Sequence, residues 1–348
     1  MYETIIIGAG QAGLAVGYYL QKTGQNFLLI DKAKEIGKQW KNRYDSLVLF
    51  TPRKYSSLPG LKLEGEEHGF PSKDEIAVYL QAYGETFNLP IQLNEEVIQI
   101  VKDGEVFIIR TNRNEYRSKN VVIATGPFQT PNTPPWSQEL AASVNQLHSS
   151  RYKNPGQLAE GNVLVVGGGN SGAQIAVELS KERETYLAIS KSLHYLPLRI
   201  GQRSIFWWFD QLGILQASSH SFLGKLIQKK GDPIFGFELK QAIRQKKVAV
   251  IRKVIGARKK QVICEDRSVL EVNNIIWATG FRTEYPWLQV QGVLNIEGKV
   301  LHHRGQTNID GLFFIGLPWQ YRRGSALLQG VGEDAKYIAS QIIERLRQ

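Results

Sequence analysis

Two glycine-rich turns stand in one chain, Gly8-Ala9-Gly10-Gln11-Ala12-Gly13 and Gly167-Gly168-Gly169-Asn170-Ser171-Gly172. Each follows a run of strand-forming residues and opens an apolar-periodic stretch. At such a turn the first glycine permits the tight bend, the second lets backbone N–H groups approach a pyrophosphate, and the third lets helix and strand pack closely. After the first turn, Phe27-Leu28-Leu29-Ile30 ends in Asp31, 23 residues beyond Gly8, where a carboxylate would hold the hydroxyls of an adenosine ribose. The residue at the same offset from Gly167 is Ser190, followed by Lys191. A carboxylate there would repel a 2′-phosphate, whereas a hydroxyl and a cation accept one. The first turn should therefore take a nucleotide with a free ribose, and the second should favour NADPH, with NADH as a weaker alternative. A solvated strand end is the competing reading of Lys191.

The elements that must position these turns repeat as well. Val121-Val122-Ile123-Ala124-Thr125-Gly126 and Ile275-Ile276-Trp277-Ala278-Thr279-Gly280 both read as buried strands ending in Ala-Thr-Gly. This repetition predicts an α/β fold with two Rossmann-like dinucleotide-binding domains, the second inserted into the first. We place the first part of the first domain at 1–150, the inserted domain at 151–279 and the second part of the first at 280–348. Residues 311–316 should form its last parallel strand and residues 324–347 its closing helix, with linkers at 127–135 and near Gly280. Two dinucleotides with no thiol pair or metal cluster suggest that one delivers a hydride and the other, a flavin, does the chemistry.

Composition agrees with an ordinary globular chain: 348 residues, 42% apolar, enough for two cores. The net charge of +11 is dispersed, with short basic clusters at 228–230, 258–260 and 322–323. These read mainly as solvated faces, with phosphate-bearing cofactors or an anionic membrane surface as alternatives, and no motif points to nucleic acid. No stretch approaches the roughly 18 apolar residues of a spanning helix. Met1 leads straight into a strand-like run, so a cytoplasmic protein is expected. Cys264 is the single cysteine, which excludes an intrachain disulfide, and it reads as an inert packed thiol. His302 and His303 are adjacent in a strand context and would point to opposite faces, so no metal site is expected.

Further motifs accompany the turns: Gly37-Lys38-Gln39-Trp40, Arg43-Tyr44-Asp45-Ser46-Leu47, and Thr51-Pro52-Arg53-Lys54-Tyr55-Ser56-Ser57-Leu58-Pro59-Gly60. Phe70-Pro71-Ser72-Lys73, His148-Ser149-Ser150-Arg151-Tyr152 and Gly316-Leu317-Pro318 complete the set. Over almost its whole length the chain thereby resembles the flavin-containing monooxygenases, especially short bacterial CzcO-like oxidoreductases and the plant indole-pyruvate monooxygenases. It departs from them at Lys38, where a second glycine is usual. It departs again at Ala142 and Val144, where the fingerprint FxGxxxHxxx(Y/F/W) has Phe and Gly, which argues against the Baeyer–Villiger branch.

The resemblance implies FAD, NADPH and O2 as co-substrate. NADPH would reduce the flavin, a C4a-hydroperoxyflavin would form, and one oxygen atom would pass to a small soft nucleophile or carbonyl compound. It also implies cofactor contacts at Gln11, Ala12, Lys32, Trp40, Arg43, Val97 and Gly316, beside those at the two turns, at Asp31, at Ala124, Thr125 and Gly126, and at Thr279 and Gly280. Thr51 stands nearest the position of the asparagine that many members place over the flavin. Trp319 and Tyr321 would line the substrate pocket, and His148 would serve between the domains or close to a cofactor. A homodimer is a family-level expectation.

Trp40 could be a core anchor and Arg43 an ion-pair partner. Ser72 and Glu75 form a capping-box pattern for a structural helix. Ile205-Phe206-Trp207-Trp208-Phe209 reads either as packing or as a lid or docking surface for a membrane or partner. Alternative functions are an NAD(P)H-dependent reductase of a quinone or carrier protein, and an accessory redox flavoprotein for a cation transporter.

Overall fold

The computed structural model describes residues 1–347. Its centre is a mixed sheet whose parallel portion runs Leu312–Phe314, Glu115–Ile123, Tyr2–Ile7, Phe27–Ile30, Ile91–Gln92 in spatial order. Tyr2–Ile7 pairs Ile5 with Leu28 on one side and with Val121 on the other, and Ile5, Ile6 and Ile7 are buried. Continuous apolar runs are what a parallel strand covered on both faces requires. One face packs on the helices Gln11–Lys22, Lys73–Thr86 and Leu328–Arg347, through Leu14, Tyr83 and Ile338. The other packs on the antiparallel strands Val97–Asp103 and Val106–Thr111 and on residues 285–294. Val97 is buried there at a strand end.

A second sheet, all parallel, runs Val248–Ile251, Thr185–Ala188, Val163–Val166, Asn274–Trp277, Asn145–His148. The helices Asn170–Leu179 and Glu238–Arg244 cover one face, and a three-stranded antiparallel sheet from Val254 to Glu271 covers the other, where Cys264 lies buried. The two units thus share one three-layer plan, helices, parallel sheet and antiparallel sheet, and the second lies within the sequence of the first. The strand Asn145–His148 corrects the boundary drawn at residue 150. It pairs in register with Asn274–Trp277, so the second unit starts one strand earlier.

Both chain crossings lie side by side. Thr130–Pro131 pairs antiparallel with Phe281–Arg282, and the Asn132 N–H donates to the Gly280 carbonyl at 3.0 Å. Lys73–Thr86 begins at the expected capping box, Ser72 Oγ accepting from the Glu75 N–H and Glu75 Oε2 from the Ser72 N–H. Ile205–Gln211 is a helix whose Phe206 is fully buried against Phe50, Tyr55 and Phe235. The aromatic run is therefore chiefly packing between the inserted unit and the first.

Candidate functional site

Because every strand that leads into a glycine turn is parallel to its neighbours, the turns and the Ala-Thr-Gly segments all lie at the carboxyl ends of their sheets. That is where open α/β sheets bind ligands. The glycines of each turn divide by what surrounds them. A Cβ on Gly8 would meet the Ala124 carbonyl oxygen at 2.7 Å, and one on Gly13 would meet the Gly8 carbonyl oxygen at 1.9 Å. Gly167 and Gly172 are crowded in the same way, by the Ala278 and Gly167 carbonyls. By contrast, a Cβ on Gly10, Gly126, Gly169 or Gly280 would meet nothing within 4 Å. These four positions border open space beside backbone N–H groups, which is the cradle a dinucleotide needs. The Gln11–Lys22 and Asn170–Leu179 helices start at the turns with no acid in their first turns, so the positive end of each helix dipole is left for an anion.

Around the first turn, Gly316 closes the site: its φ is +80°, and a Cβ there would stand 3.1 Å from that of Ala12. Gln11 Nε2 donates to the Ala326 carbonyl, tying the turn to the segment ahead of the last helix. Asp31 Oδ2 accepts from the Ala9 N–H and Oδ1 from the Ala33 N–H, both at 2.7 Å. The carboxylate thus holds the turn in shape and keeps further lone pairs for other donors. Lys32 is exposed and pairs with Glu96. Thr125 Oγ1 and the Gly126 carbonyl both accept from Gln129 Nε2. Around the second turn, Ser190 and Lys191 are exposed at the end of Thr185–Ala188. Thr279 Oγ1 donates to the Asn132 carbonyl.

Several sequence-assigned residues do other work. Asn170 spends its side chain on the chain return from residue 233: Nδ2 donates to the Pro233 carbonyl and Oδ1 accepts from the Phe235 N–H. Trp40 sits half-buried against the helix-covered core, on the short helix Lys38–Lys41. Lys38 is that helix's first residue and pairs with Glu35 at 3.2 Å. Tyr44, sequentially in the first unit, is buried in the core of the second, where its hydroxyl donates to Gln174 Oε1 at 2.7 Å. Desolvation there pushes its pKa far above the usual tyrosine value, so it acts as a neutral donor.

Arg43 occupies the junction of the linkers. Its guanidinium lies 4.8 Å from the Phe128 ring centre and 5.5 Å from that of Phe281, and burial lowers its pKa. His148 packs edge-on against Phe281 and meets the Gly280 carbonyl through Nε2 at 2.9 Å. That contact assigns the proton to Nε2 and leaves Nδ1 to accept from the Ser150 N–H. Burial, with Arg43 and Arg151 nearby, holds the imidazole pKa below its ordinary value.

The residues expected on the substrate side, Thr51, Trp319 and Tyr321, have the following surroundings. Thr51 is buried, its carbonyl accepting from Ser56 Oγ. Trp319 adopts a left-handed backbone, φ +57°, unusual for so bulky a residue. It is held there by buried Gln320, which accepts from the Leu317 N–H and donates to the Phe314 carbonyl. The Tyr321 ring is covered by the Arg304 guanidinium at 4.0 Å, which removes that face from a pocket. The contact of Tyr44 with Gln174, which sequence reasoning missed, spans 130 residues, a separation that no local pattern reveals.

A family model described as pyridine nucleotide-disulphide oxidoreductase matches residues 5–194. The CzcO oxidoreductase of Bacillus subtilis is 63% identical over 98% of this chain and 99% of its own. The probable indole-3-pyruvate monooxygenase YUCCA3 of Arabidopsis thaliana is 28% identical over 99% of this chain and 87% of its own. Among solved structures, the flavin-containing monooxygenase of Stenotrophomonas maltophilia superposes with a TM-score of 0.84 at 24% identity, covering 99% of this chain and 98% of that one.

Proposed function

The chain belongs to the pyridine nucleotide-disulphide oxidoreductase family, in its CzcO-like, flavin-containing-monooxygenase branch, and from that premise we propose that this flavin-dependent oxidoreductase is an FAD-dependent, NADPH-using monooxygenase. The observation that carries the proposal is the pair of open cradles at Gly10 and Gly169, each at the carboxyl end of its own parallel sheet. The backbone N–H groups of residues 8–13 would hold the FAD pyrophosphate, with Asp31 near its ribose and Ala124, Thr125, Gly126 and Gly316 bordering it. Residues 167–172 would hold the NADPH pyrophosphate, Ser190 and Lys191 its 2′-phosphate, and Thr279 and Gly280 its nicotinamide end.

Bound FAD would supply a two-electron acceptor for hydride and a site of O2 reduction. The chain's own part is positional. Arg43 packs on Phe128 and Phe281 at the junction between the units, and His148 holds the Gly280 carbonyl in place. The balance is one acceptor molecule, one NADPH, one proton and one O2 for one oxygenated product, one NADP⁺ and one water. A small soft nucleophile or a carbonyl compound is the proposed acceptor of the oxygen atom.

Stopped-flow reoxidation of the NADPH-reduced holoenzyme tests this, combined with ¹⁸O2 labelling of sulfide, amine and ketone substrates. We expect a transient spectrum distinct from both reduced and oxidised flavin, and one labelled oxygen in the product. Direct return to oxidised flavin with no label in any product would overturn the proposal. It would point instead to electron transfer to a quinone, a carrier or a transporter-associated partner.

A further inference from the structure

Residues 195–235 form an excursion between the strands Thr185–Ala188 and Val248–Ile251 of the second sheet, and they are held to the first unit from below. Phe206 and Phe235 stack on Phe50, Arg322 donates to Gln216 Oε1 at 2.6 Å, and Arg323 pairs with Asp232 at 2.9 Å. The outward side carries no such partner. The helix Phe222–Lys230 buries only Gly224, while Phe222 is 87% exposed and Leu223 and Leu226 are exposed beside it. Positions 222, 223 and 226 share one side of a helix. Trp208, within the helix Ile205–Gln211, and Leu212, just after it, are also exposed, Leu212 by 67%.

The charges on this excursion are one-sided. Residues 195–235 contain Arg199, Arg203, Lys225, Lys229 and Lys230 against two acids, Asp210 and Asp232. Both acids are engaged with the first unit, Asp210 accepting a hydrogen bond from Tyr55 and Asp232 pairing with Arg323. Residues 211–231 contain no Asp or Glu. We propose that this face is a peripheral docking surface for an anionic lipid bilayer, with Phe222, Leu223 and Leu226 entering the headgroup region and the lysines meeting lipid phosphates. A short amphipathic helix with apolar side chains on one side and lysines beside them is suited to lying in an interface. No helix among the described residues is long and apolar enough to cross a membrane, so the contact is superficial. A second copy of the chain is a poorer occupant, because a two-fold contact would set these cations against one another.

Co-sedimentation of the full-length holoenzyme with vesicles of phosphatidylglycerol and phosphatidylcholine, and with phosphatidylcholine alone, tests the proposal at low and high salt. We expect binding only to the anionic vesicles. It should fall about tenfold or more on raising the salt, and by a similar factor in Phe222→Glu/Leu226→Glu and in Lys225→Gln/Lys229→Gln/Lys230→Gln. Both variants change exposed side chains only, so flavin content and melting temperature should stay at wild-type values. Absence of binding to anionic vesicles, equal binding to both vesicle types, or binding unchanged in both variants would overturn it. So would a dimer in solution that Phe222→Glu disperses.

Discussion

Gly10 and Gly13 stand three residues apart in one turn and answer to different constraints. Gly13 is required by the chain itself, because a methyl group there would collide with the Gly8 carbonyl; Gly10 faces open space. Gly13→Ala should therefore destabilise the cofactor-free protein by about 3 kcal/mol or more, as overpacking at rigid backbone does. Gly10→Ala should leave that stability within about 1 kcal/mol while lowering bound flavin per chain. Thermal melts of the stripped protein and the flavin absorbance of the loaded protein separate the two. At the second turn, Lys191→Glu should raise the KM for NADPH by roughly 10- to 100-fold, the scale of one charge-assisted contact, and change that for NADH much less. Equal changes for both nucleotides would reject the assignment of Lys191. Residue types and spacing made these positions legible in the sequence, since glycine, acid and cation act locally. Asn170 and Tyr44 were not legible in the same way, because their partners, Pro233 with Phe235 and Gln174, lie more than 60 residues away.

Among the elements, both glycine turns, the helices after them and the two strands leading into Ala-Thr-Gly emerge at their expected places, because buried parallel strands and their helices carry strong patterns. Asn145–His148 escaped notice: Asn-Gln-Leu-His has no apolar run, and only pairing with Asn274–Trp277 makes it a strand. Its contribution can be measured. A fragment of residues 143–279 should melt cooperatively at a higher temperature than one of residues 151–279, which lacks the ladder to Ile275 and Trp277 and the Gln146 acceptor for Trp277 Nε1. Identical melts would show that the second unit closes without that edge. The aromatic run at 205–209 illustrates a different limit. Composition marked it as apolar surface seeking a partner, but which partner depended on Phe50 and Phe235, placed by the tertiary fold.

At the scale of the whole molecule, the two units meet where Arg43, Phe128, Phe281 and His148 crowd the paired linkers. His148 gives this junction a pH dependence. Its folded pKa is depressed below the ordinary value near 6.5, chiefly by burial, so the unfolded chain takes up the proton first as the pH falls. The stabilisation is complete above about pH 6.5 and is lost progressively below it. In urea unfolding at about pH 7.5 and about pH 5.5, wild type should lose more stability than His148→Gln, and equal losses would remove His148 from this role. The linker pair has one more implication. Entry at Asn132 and exit at Gly280 are hydrogen-bonded to each other and flanked by the paired linker strands, so the ends of the first unit are already adjacent where the second interrupts it. Bridging them directly would close only a very short loop, at little cost in chain entropy. An ancestral duplicate could have been spliced in at this point, or lost from it, without rebuilding either host strand. Grafting a foreign nucleotide-binding module between 132 and 280 should be tolerated for the same reason.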